Sequence, residues 1–292
     1  MQMKATLSSR KRMMVVVAGL AAATFLVSVA CGGGAQAPTA TPQAHTEAQP
    51  TAASTQAPAP AMTIAKAEDT HTVNMTGDYF SPVVAVVHVG DTVSWVNGDS
   101  DPHSVVSFPS APTQFDIDID AGKTGTFTFT KPGVYQYYCD LHATYSKMMS
   151  DVKANQGTDV FPIPMRGVIV VLPKNGQLAP SGTSTVDIPD TTMTFTPWAL
   201  VVPQGTTVNW TNNDEDPHAV TSVPGYATAG ISTFALPGDG GTGSHAFDQP
   251  GVYYYYCPVH ASWDADLQQL KPLSSYGMYP YVMDGLIVVT PK

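Results

Sequence analysis

The sequence is poor in charge, in cysteine and in basic residues, and each shortage excludes a class of protein. Charged residues make up 12% of the 292 residues, about half of the usual quarter, which argues against a coiled coil, a helix bundle and an acidic disordered tail. Three cysteines cannot build a disulfide-dense scaffold. Thirteen basic residues against 23 acidic ones give a formal net charge of −10, so the chain has no basic footprint for nucleic acid.

What the chain has instead is turn residues and alternating strands. Glycine and proline supply 24 and 25 residues, and 43% of the chain is hydrophobic. Val93 and Trp95 alternate with polar residues, as do Phe127 and Phe129, and no stretch after residue 62 shows sustained helical periodicity. This pattern predicts an all-β protein built from antiparallel β-sandwiches of seven or eight short strands each.

The N-terminal thirty residues have the composition of a targeting segment. Four basic residues precede an uncharged, mostly apolar run that ends in Ser-Val-Ala-Cys at residues 28–31. This resembles a bacterial lipoprotein signal, which implies removal of residues 1–30 and lipidation of Cys31, although Ser28 replaces the usual branched aliphatic residue. Ordinary signal peptidase cleavage after Ala30 and a retained membrane anchor are the alternatives. Cleavage in either form predicts an exported protein, at the periplasmic or extracytoplasmic face of the cell membrane.

Residues 31–62 separate this segment from the rest of the chain. From Gly32 to Ala61 they contain no large apolar residue and are nearly all Gly, Ala, Pro, Thr, Gln and Ser. Such a segment cannot bury a core. We therefore predict a flexible linker that is anchored to the membrane by lipid.

The remainder of the chain is an internal repeat. Two blocks recur at an offset of 115 residues and two at an offset of 118. They are residues 90–97 and 205–212, 101–103 and 216–218, 132–139 and 250–257, and 165–171 and 283–289. The repeat predicts two tandem copies of one Greek-key β-sandwich domain, at residues 63–175 and 176–292.

Each repeat carries one cysteine, two histidines and one methionine at matching positions. A histidine follows each cysteine by three residues, and a methionine follows that histidine by 23 residues. A thiolate, two imidazoles and a thioether form the ligand set of a blue-copper centre, whereas one cysteine per domain excludes a zinc knuckle or a cysteine-bridged binuclear copper site. The two candidate sets are His103, Cys139, His142 and Met165, and His218, Cys257, His260 and Met283.

Through these motifs, residues 63–292 closely resemble the cupredoxins, the plastocyanin/azurin-like family, and the anchored layout is similar to auracyanin-like proteins. The resemblance implies one type 1 copper per domain, two in the chain, held by the eight residues just named. In the family, only a few residues separate the last histidine from the methionine. Here 22 residues intervene, so Met148 and Met149 remain alternatives to Met165 as the axial ligand of the first site.

A second departure concerns the residue after the upstream histidine. In the family this is often an asparagine that holds the ligand loops together by hydrogen bonding. Here it is Ser104 or Ala219. Asn97 and Asn212 are candidates to substitute for it.

The resemblance implies an electron carrier rather than an enzyme, with redox proteins such as cytochromes or membrane respiratory or photosynthetic complexes as partners. The alternatives are a multicopper oxidoreductase, similar to nitrite reductase or laccase, and a copper storage or delivery protein. An oxidoreductase needs a second copper site with more histidines, and the chain has no His-x-His. Residues 176–292 hold two basic and ten acidic residues, with a cluster at residues 214–216, which predicts a positively charged partner for the second domain.

Overall fold

The computed structural model describes residues 71–175, 177–190, 192–226, 230–274 and 277–292. The predicted signal segment, the predicted lipidation site Cys31 and the whole predicted linker lie outside this range, so these remain predictions. The described residues belong to one unit that spans Ala57–Lys292. Among them, no helix is long and apolar enough to cross a membrane.

The first repeat forms eleven strands within the described residues. They are β1 (Thr72–Met75), β2 (Phe80–Ser81), β3 (Val84–His88), β4 (Thr92–Asn97), β5 (His103–Ser107), β6 (Asp116–Ile119), β7 (Thr124–Thr128), β8 (Gly133–Tyr138), β9 (Ala143–Ser146), β10 (Asp151–Ala154) and β11 (Arg166–Leu172).

The second repeat forms ten strands within the described residues. They are β12 (Thr185–Ile188), β13 (Ala199–Pro203), β14 (Thr206–Asn212), β15 (His218–Ser222), β16 (Phe234–Leu236), β17 (Gly241–Phe247), β18 (Gly251–Tyr256), β19 (Ala261–Asp264), β20 (Gln269–Pro272) and β21 (Asp284–Thr290).

Each repeat is a sandwich of two sheets. In the first domain the strand orders are β2-β1-β4-β7 and β3-β11-β8-β5-β6, and in the second they are β12-β14-β17 and β13-β21-β18-β15-β16. Trp95 from one sheet and Tyr137 from the other pack edge to face, 5.6 Å between ring centroids, as do Trp210 and Tyr255 at 5.7 Å. The predicted all-β fold of two tandem sandwiches is therefore confirmed.

The sandwiches, predicted as antiparallel, also contain parallel strand pairs. In each domain two pairs are parallel, β1 with β4 and β3 with β11 in the first, and β12 with β14 and β13 with β21 in the second. Parallel neighbours need a long connection. In a Greek-key fold the chain passes to the other sheet and returns, and this path supplies the long connection. The alternation of polar and apolar residues does not encode the path.

The strands β11 and β21 are buried along both faces, unlike the alternating strand β4. In β11, Ile169 and Val171 face the core of the first domain, whereas Val168 and Val170 join an apolar cluster with Leu286 and Val288 of the second domain. The five-stranded sheets of the two domains therefore pack against each other. This accounts for the continuous apolar runs after Gly167 and Gly285, since a strand covered on both sides needs no polar face.

A buried ionic network crosses this interface. The Arg166 guanidinium donates to Asp151 Oδ1 at 2.8 Å and to Asp284 Oδ2. Asp284 also accepts hydrogen bonds from Tyr254 and from Trp198 Nε1, the latter at 2.9 Å. Arg166 and Asp284 are 118 residues apart, so they occupy the same position in the two repeats.

The segments that separate the last histidine from the methionine each begin with a β-hairpin, β9–β10 or β19–β20. The turn of each hairpin reaches the other domain. Met148 and Met149 line a cavity of about 240 Å³ together with Phe195 and Met283. In the opposite direction, Gln269 Nε2 donates to the carbonyl oxygen of Phe80 at 2.9 Å.

Candidate metal centres

Three of the four candidate ligands of the first domain lie at the ends of three adjacent strands. His103 is the first residue of β5, Cys139 follows β8 directly, and Met165 directly precedes β11. Strand β8 lies between β5 and β11 in the sheet, so these three ends lie side by side. The second domain places His218, Cys257 and Met283 identically at β15, β18 and β21.

A tight turn brings the remaining histidine back to the cysteine. The backbone amides of His142 and Ala143 both donate to the carbonyl oxygen of Cys139, at 3.2 and 2.8 Å. In the second domain the amides of His260 and Ala261 donate in the same way to Cys257, at 3.1 and 2.9 Å. The three-residue spacing of Cys and His is the length of this turn.

In the first domain, one sulfur and two imidazole nitrogens converge. Cys139 Sγ lies 3.3 Å from His142 Nδ1 and 4.0 Å from His103 Nδ1, and the two nitrogens are 3.1 Å apart. His103 and Cys139 are fully buried, and His142 is partly exposed.

The second domain repeats this arrangement. Cys257 Sγ lies 3.3 Å from His260 Nδ1 and 3.9 Å from His218 Nδ1, and the nitrogens are 3.3 Å apart. All three residues are buried. In each domain the potential ligand atoms lie within 4.8 Å of one another.

The structure places Met165 and Met283 next to the cysteines. The amide of Cys139 donates to the Met165 carbonyl oxygen at 3.1 Å, and that of Cys257 to the Met283 carbonyl oxygen at 3.0 Å. Both methionines are buried in the core cluster that contains the cysteine. Met148 is 81% exposed, and Met149 lines a pocket beside His260 of the other domain. Of the three candidates for the first site, Met165 is the one that the fold brings to Cys139.

The donor set fits copper rather than a hard cation. A thiol, two imidazoles with their Nδ1 atoms directed inward and a neighbouring thioether match the preference of copper for soft sulfur and nitrogen ligands. A hard ion such as magnesium or calcium prefers oxygen ligands. Because the Nδ1 atoms face the sulfur, the Nε2 atoms face outward and are available as hydrogen-bond donors.

The ionisable groups of the two sites differ. Burial favours the neutral Cys139 thiol, but hydrogen bonds with His103 and Ser104 outweigh burial and lower its pKa to about 7. Burial instead raises the pKa of Cys257. Burial, with a contribution from the charge of His218, lowers the pKa of His260 to about 4. The first site is therefore the closer of the two to the thiolate form that binds metal.

Carboxylates contact the outer nitrogens of the first site, and neither was among the residues predicted from the sequence. His103 Nε2 lies 2.8 Å from Asp99 Oδ2, and His142 Nε2 lies 3.3 Å from Asp78 Oδ1. Asp99 could have been found, because Asn-x-Asp-x-Asp-Pro-His recurs at residues 97–103 and 212–218. Asp78 has no such signal, since the second repeat has Met193 at that position.

Two kinds of contact hold the ligand loops together in place of the family's asparagine. Asn97 Nδ2 donates to the carbonyl oxygens of Asp101 and Ile119, at 2.8 and 3.1 Å, and Asn212 makes the equivalent bonds. These asparagines hold the loop that leads to the upstream histidine. Ser104 links the two ligand loops, because its hydroxyl bonds to Asp140 Oδ1 at 2.6 Å and accepts from the Asp140 amide at 3.0 Å.

The acidic cluster before His218 is only partly a surface feature. Asp214 is 3% exposed and its Oδ2 lies 3.7 Å from His218 Nε2, whereas Glu215 and Asp216 are exposed. Two of its three acids are therefore available to a docking partner.

Comparisons with known families match both domains. Residues 48–149 match the cupredoxin-like domain, and residues 183–265 match the copper-binding proteins of the plastocyanin/azurin family. Each match contains both histidines and the cysteine of its site and ends before the methionine. The inserted hairpins lie where the matches end.

Solved structures of amicyanin are also similar to part of the chain. A reduced Cu(I) form of an amicyanin variant is 26% identical over 39% of this chain and 86% of its own, with a TM-score of 0.27. An oxidised amicyanin variant is 23% identical over 36% and 88%, with a TM-score of 0.26. These scores are too low to add to the assignment, which rests on the two family matches and the duplicated sandwich. The chain belongs to the cupredoxins, with two cupredoxin domains in tandem.

Proposed function

We propose that the chain is an exported electron carrier that holds one type 1 copper in each domain, two per chain. The observation that carries this proposal is the duplicated convergence of one cysteine sulfur and two histidine Nδ1 atoms at the ends of matching strands. Bound there, copper would exchange one electron at a time between Cu(I) and Cu(II). Cys139, His103, His142 and Met165 would hold it in the first domain, and Cys257, His218, His260 and Met283 in the second.

The protein's part in this function is to hold the ligands still. In each domain the cysteine sulfur accepts a backbone N–H, from Ser104 at 3.2 Å or from Ala219 at 3.4 Å. The turn after the cysteine and the asparagine before the upstream histidine fix the two loops. A ligand set that is held in place changes oxidation state with little rearrangement, which favours rapid electron exchange.

The first domain offers a docking surface beside its ligands. Leu141, between Cys139 and His142, is 51% exposed, and the side chain of His142 is 17% exposed. In the second domain His260 is buried. We place the contact with one redox partner at Leu141 and His142. The exposed acids Glu215 and Asp216 are the proposed contact for a positively charged partner, such as a basic cytochrome, on the second domain.

The proposed location is the outer face of the cell membrane, with Cys31 as the lipid attachment point and residues 31–62 as the tether. Several acyl chains are needed, since a single chain binds a membrane only marginally. This arrangement would keep the carrier within reach of membrane respiratory or photosynthetic complexes.

An enzymatic role as a multicopper oxidoreductase would need a further metal site. Among the described residues, each cluster of three possible ligands includes at least one of the two sites' own histidines. Outside the two sites, His71 lies 3.1 Å from Asp91, and His245 packs against Phe247. These contacts favour structural roles and support electron transfer over the oxidoreductase alternative.

The test is the copper content and colour of the full chain. We expect two coppers per chain and intense visible absorption from thiolate-to-copper charge transfer. Cys139→Ser and Cys257→Ser should each remove one copper and leave the absorption of the other site. One copper in the unaltered chain, or zinc as the native metal, would contradict the proposal.

A further inference from the structure

The two domains differ at a position that touches a ligand histidine in the first domain. In the first domain this position is Asp78, whose Oδ1 lies 3.3 Å from His142 Nε2. Its other oxygen, Oδ2, accepts the amide of Asp159 at 2.7 Å, so the carboxylate is held from both ends. Asp78 is 7% exposed. The equivalent residue of the second repeat, 115 positions later, is Met193, which lines the pocket beside His260.

We propose that Asp78 gives the first domain the lower reduction potential of the two copper centres. The proposal rests on the proposed function, because it requires a copper ion in each domain. Asp78 acts through His142 and is therefore a positioning and tuning residue rather than a ligand.

The physical reason is electrostatic. Oxidised copper carries one more positive charge than reduced copper, so a nearby negative charge stabilises the oxidised form and makes reduction less favourable. A carboxylate that accepts a hydrogen bond from the outer N–H of a ligand histidine also makes that imidazole a stronger electron donor to the metal. Met193 has a neutral thioether and can do neither.

The other contacts of the first site do not cancel this effect. Asp99 and Asp214 are equivalent in the two repeats, and the Asp99 contact with its histidine is the shorter, 2.8 Å against 3.7 Å. Hydrogen bonds to the cysteine sulfur would act in the opposite direction by stabilising the reduced site, but each sulfur accepts one backbone N–H. The Ser104 hydroxyl lies 3.5 Å from the Cys139 sulfur and 2.6 Å from Asp140 Oδ1, so its shorter contact is with the carboxylate.

Unequal reduction potentials would make electron transfer between the two copper centres favourable in one direction. One electron would leave the centre of the first domain, which is oxidised, and enter the centre of the second, which is reduced, with no proton transferred. The donor would therefore dock at the first domain, where Leu141 and His142 are exposed, and the acceptor at the second.

The experiment is a spectroelectrochemical titration of the copper-loaded full chain. Cys257→Ser isolates the first centre and Cys139→Ser isolates the second. We expect the lower midpoint potential in the Cys257→Ser chain. In that background Asp78→Asn should raise the midpoint potential, with about a tenfold change in the Cu(I) to Cu(II) ratio, which is about 59 mV for one electron.

A reciprocal variant keeps the test independent of the folding of Asp78→Asn. Asp78 and Met193 have similar left-handed backbone conformations, with φ of 60° and 47°, which aspartate and asparagine tolerate better than methionine does. In the Cys139→Ser background Met193→Asp should lower the midpoint potential, and Met193→Asn is the neutral control. Equal midpoint potentials, a higher one in the first domain, or no difference between Met193→Asp and Met193→Asn would overturn the inference. Loss of copper absorption in both cysteine variants would contradict the proposed function instead.

Discussion

At the scale of single residues, Asp151 is an ionisable group of the interface whose charged form is disfavoured by burial. Two buried carboxylates, Asp151 and Asp284, share one buried cation, Arg166. Asp284 has two further donors, Tyr254 and Trp198, whereas Asp151 accepts from Arg166 and from the Val152 amide. Burial raises the pKa of Asp151 to about 6; the charge of Asp284 adds to this and that of Arg166 opposes it.

Asp151→Asn should therefore stabilise the protein increasingly as the pH rises. Below the unfolded pKa of 3.8 the acid is protonated in both states and burial of its charge costs nothing. Between pH 4 and pH 6 the Asp151 carboxyl is ionised in the unfolded chain but still protonated in the folded one. The free energy of unfolding of the unaltered protein therefore falls relative to that of Asp151→Asn, by up to about 3 kcal/mol above pH 7. Urea unfolding of both proteins from pH 4 to pH 8 measures the difference.

The comparison isolates Asp151 because other groups titrate in both proteins. The lowered pKa of His260, about 4 in the folded protein, makes the folded state less stable as the pH falls. This effect is the same in the unaltered protein and in Asp151→Asn. A difference between the two unfolding free energies that does not change with pH would show that Asp151 is not strained by its burial.

At the scale of the strand, β11 and β21 are constrained where they begin. A Cβ added to Gly167 would lie 2.4 Å from Tyr137 Cζ, and one added to Gly285 would lie 2.5 Å from Tyr255 Cζ. Tyr137 cannot withdraw, because it is fully buried against Phe80 and Trp95. The glycine of Met-x-Gly is therefore required by close packing next to the metal site.

Gly167→Ala should destabilise the first domain by about 1–3 kcal/mol through overpacking. Gly277→Ala is the matched control, since a Cβ there meets nothing within 4 Å and the change should be within about 0.5 kcal/mol. Thermal unfolding of the two variants gives the comparison. Equal midpoints would mean that the tyrosine moves without cost.

The strands also show how far the sequence predicts the structure. The repeat predicts both sandwiches and the matching histidines and cysteines, and the three-residue spacing of Cys and His converts directly into the turn that joins them. The upstream histidine reaches the cysteine because β5 and β8 are neighbours in the sheet. The sequence does not predict that the β9–β10 hairpin carries Met149 to the other domain, or that Asp78 contacts His142. Asp78 lies in the loop between β1 and β2, 64 positions before His142, and no local sequence pattern records a contact over that separation.

At the scale of the whole molecule, the interface depends on the balance of its buried charges. Arg166→Met leaves two buried carboxylates without their cation and should destabilise the protein by about 3–5 kcal/mol. Adding Asp151→Asn and Asp284→Asn should recover most of this loss, because the asparagines still accept hydrogen bonds but carry no charge.

Urea unfolding of the copper-free chain provides the measurement, and Lys153→Met, at an exposed position of β10, is the control for loss of a surface cation. If Arg166→Met were no more harmful than Lys153→Met, the network would contribute nothing to the joining of the domains. If the triple variant were as unstable as Arg166→Met alone, shape rather than charge would be responsible.

The pairing of Arg166 with Asp284 separates this chain from a dimer of identical subunits. In a symmetric dimer, a residue near the two-fold axis meets its own copy, so any charge there faces the same charge. Two repeats within one chain are free to diverge at that position, and here one has become a cation and the other an anion. The fused chain thus holds its halves together with a contact that two identical halves could not form, and the same freedom allowed Asp78 and Met193 to make the two centres unlike.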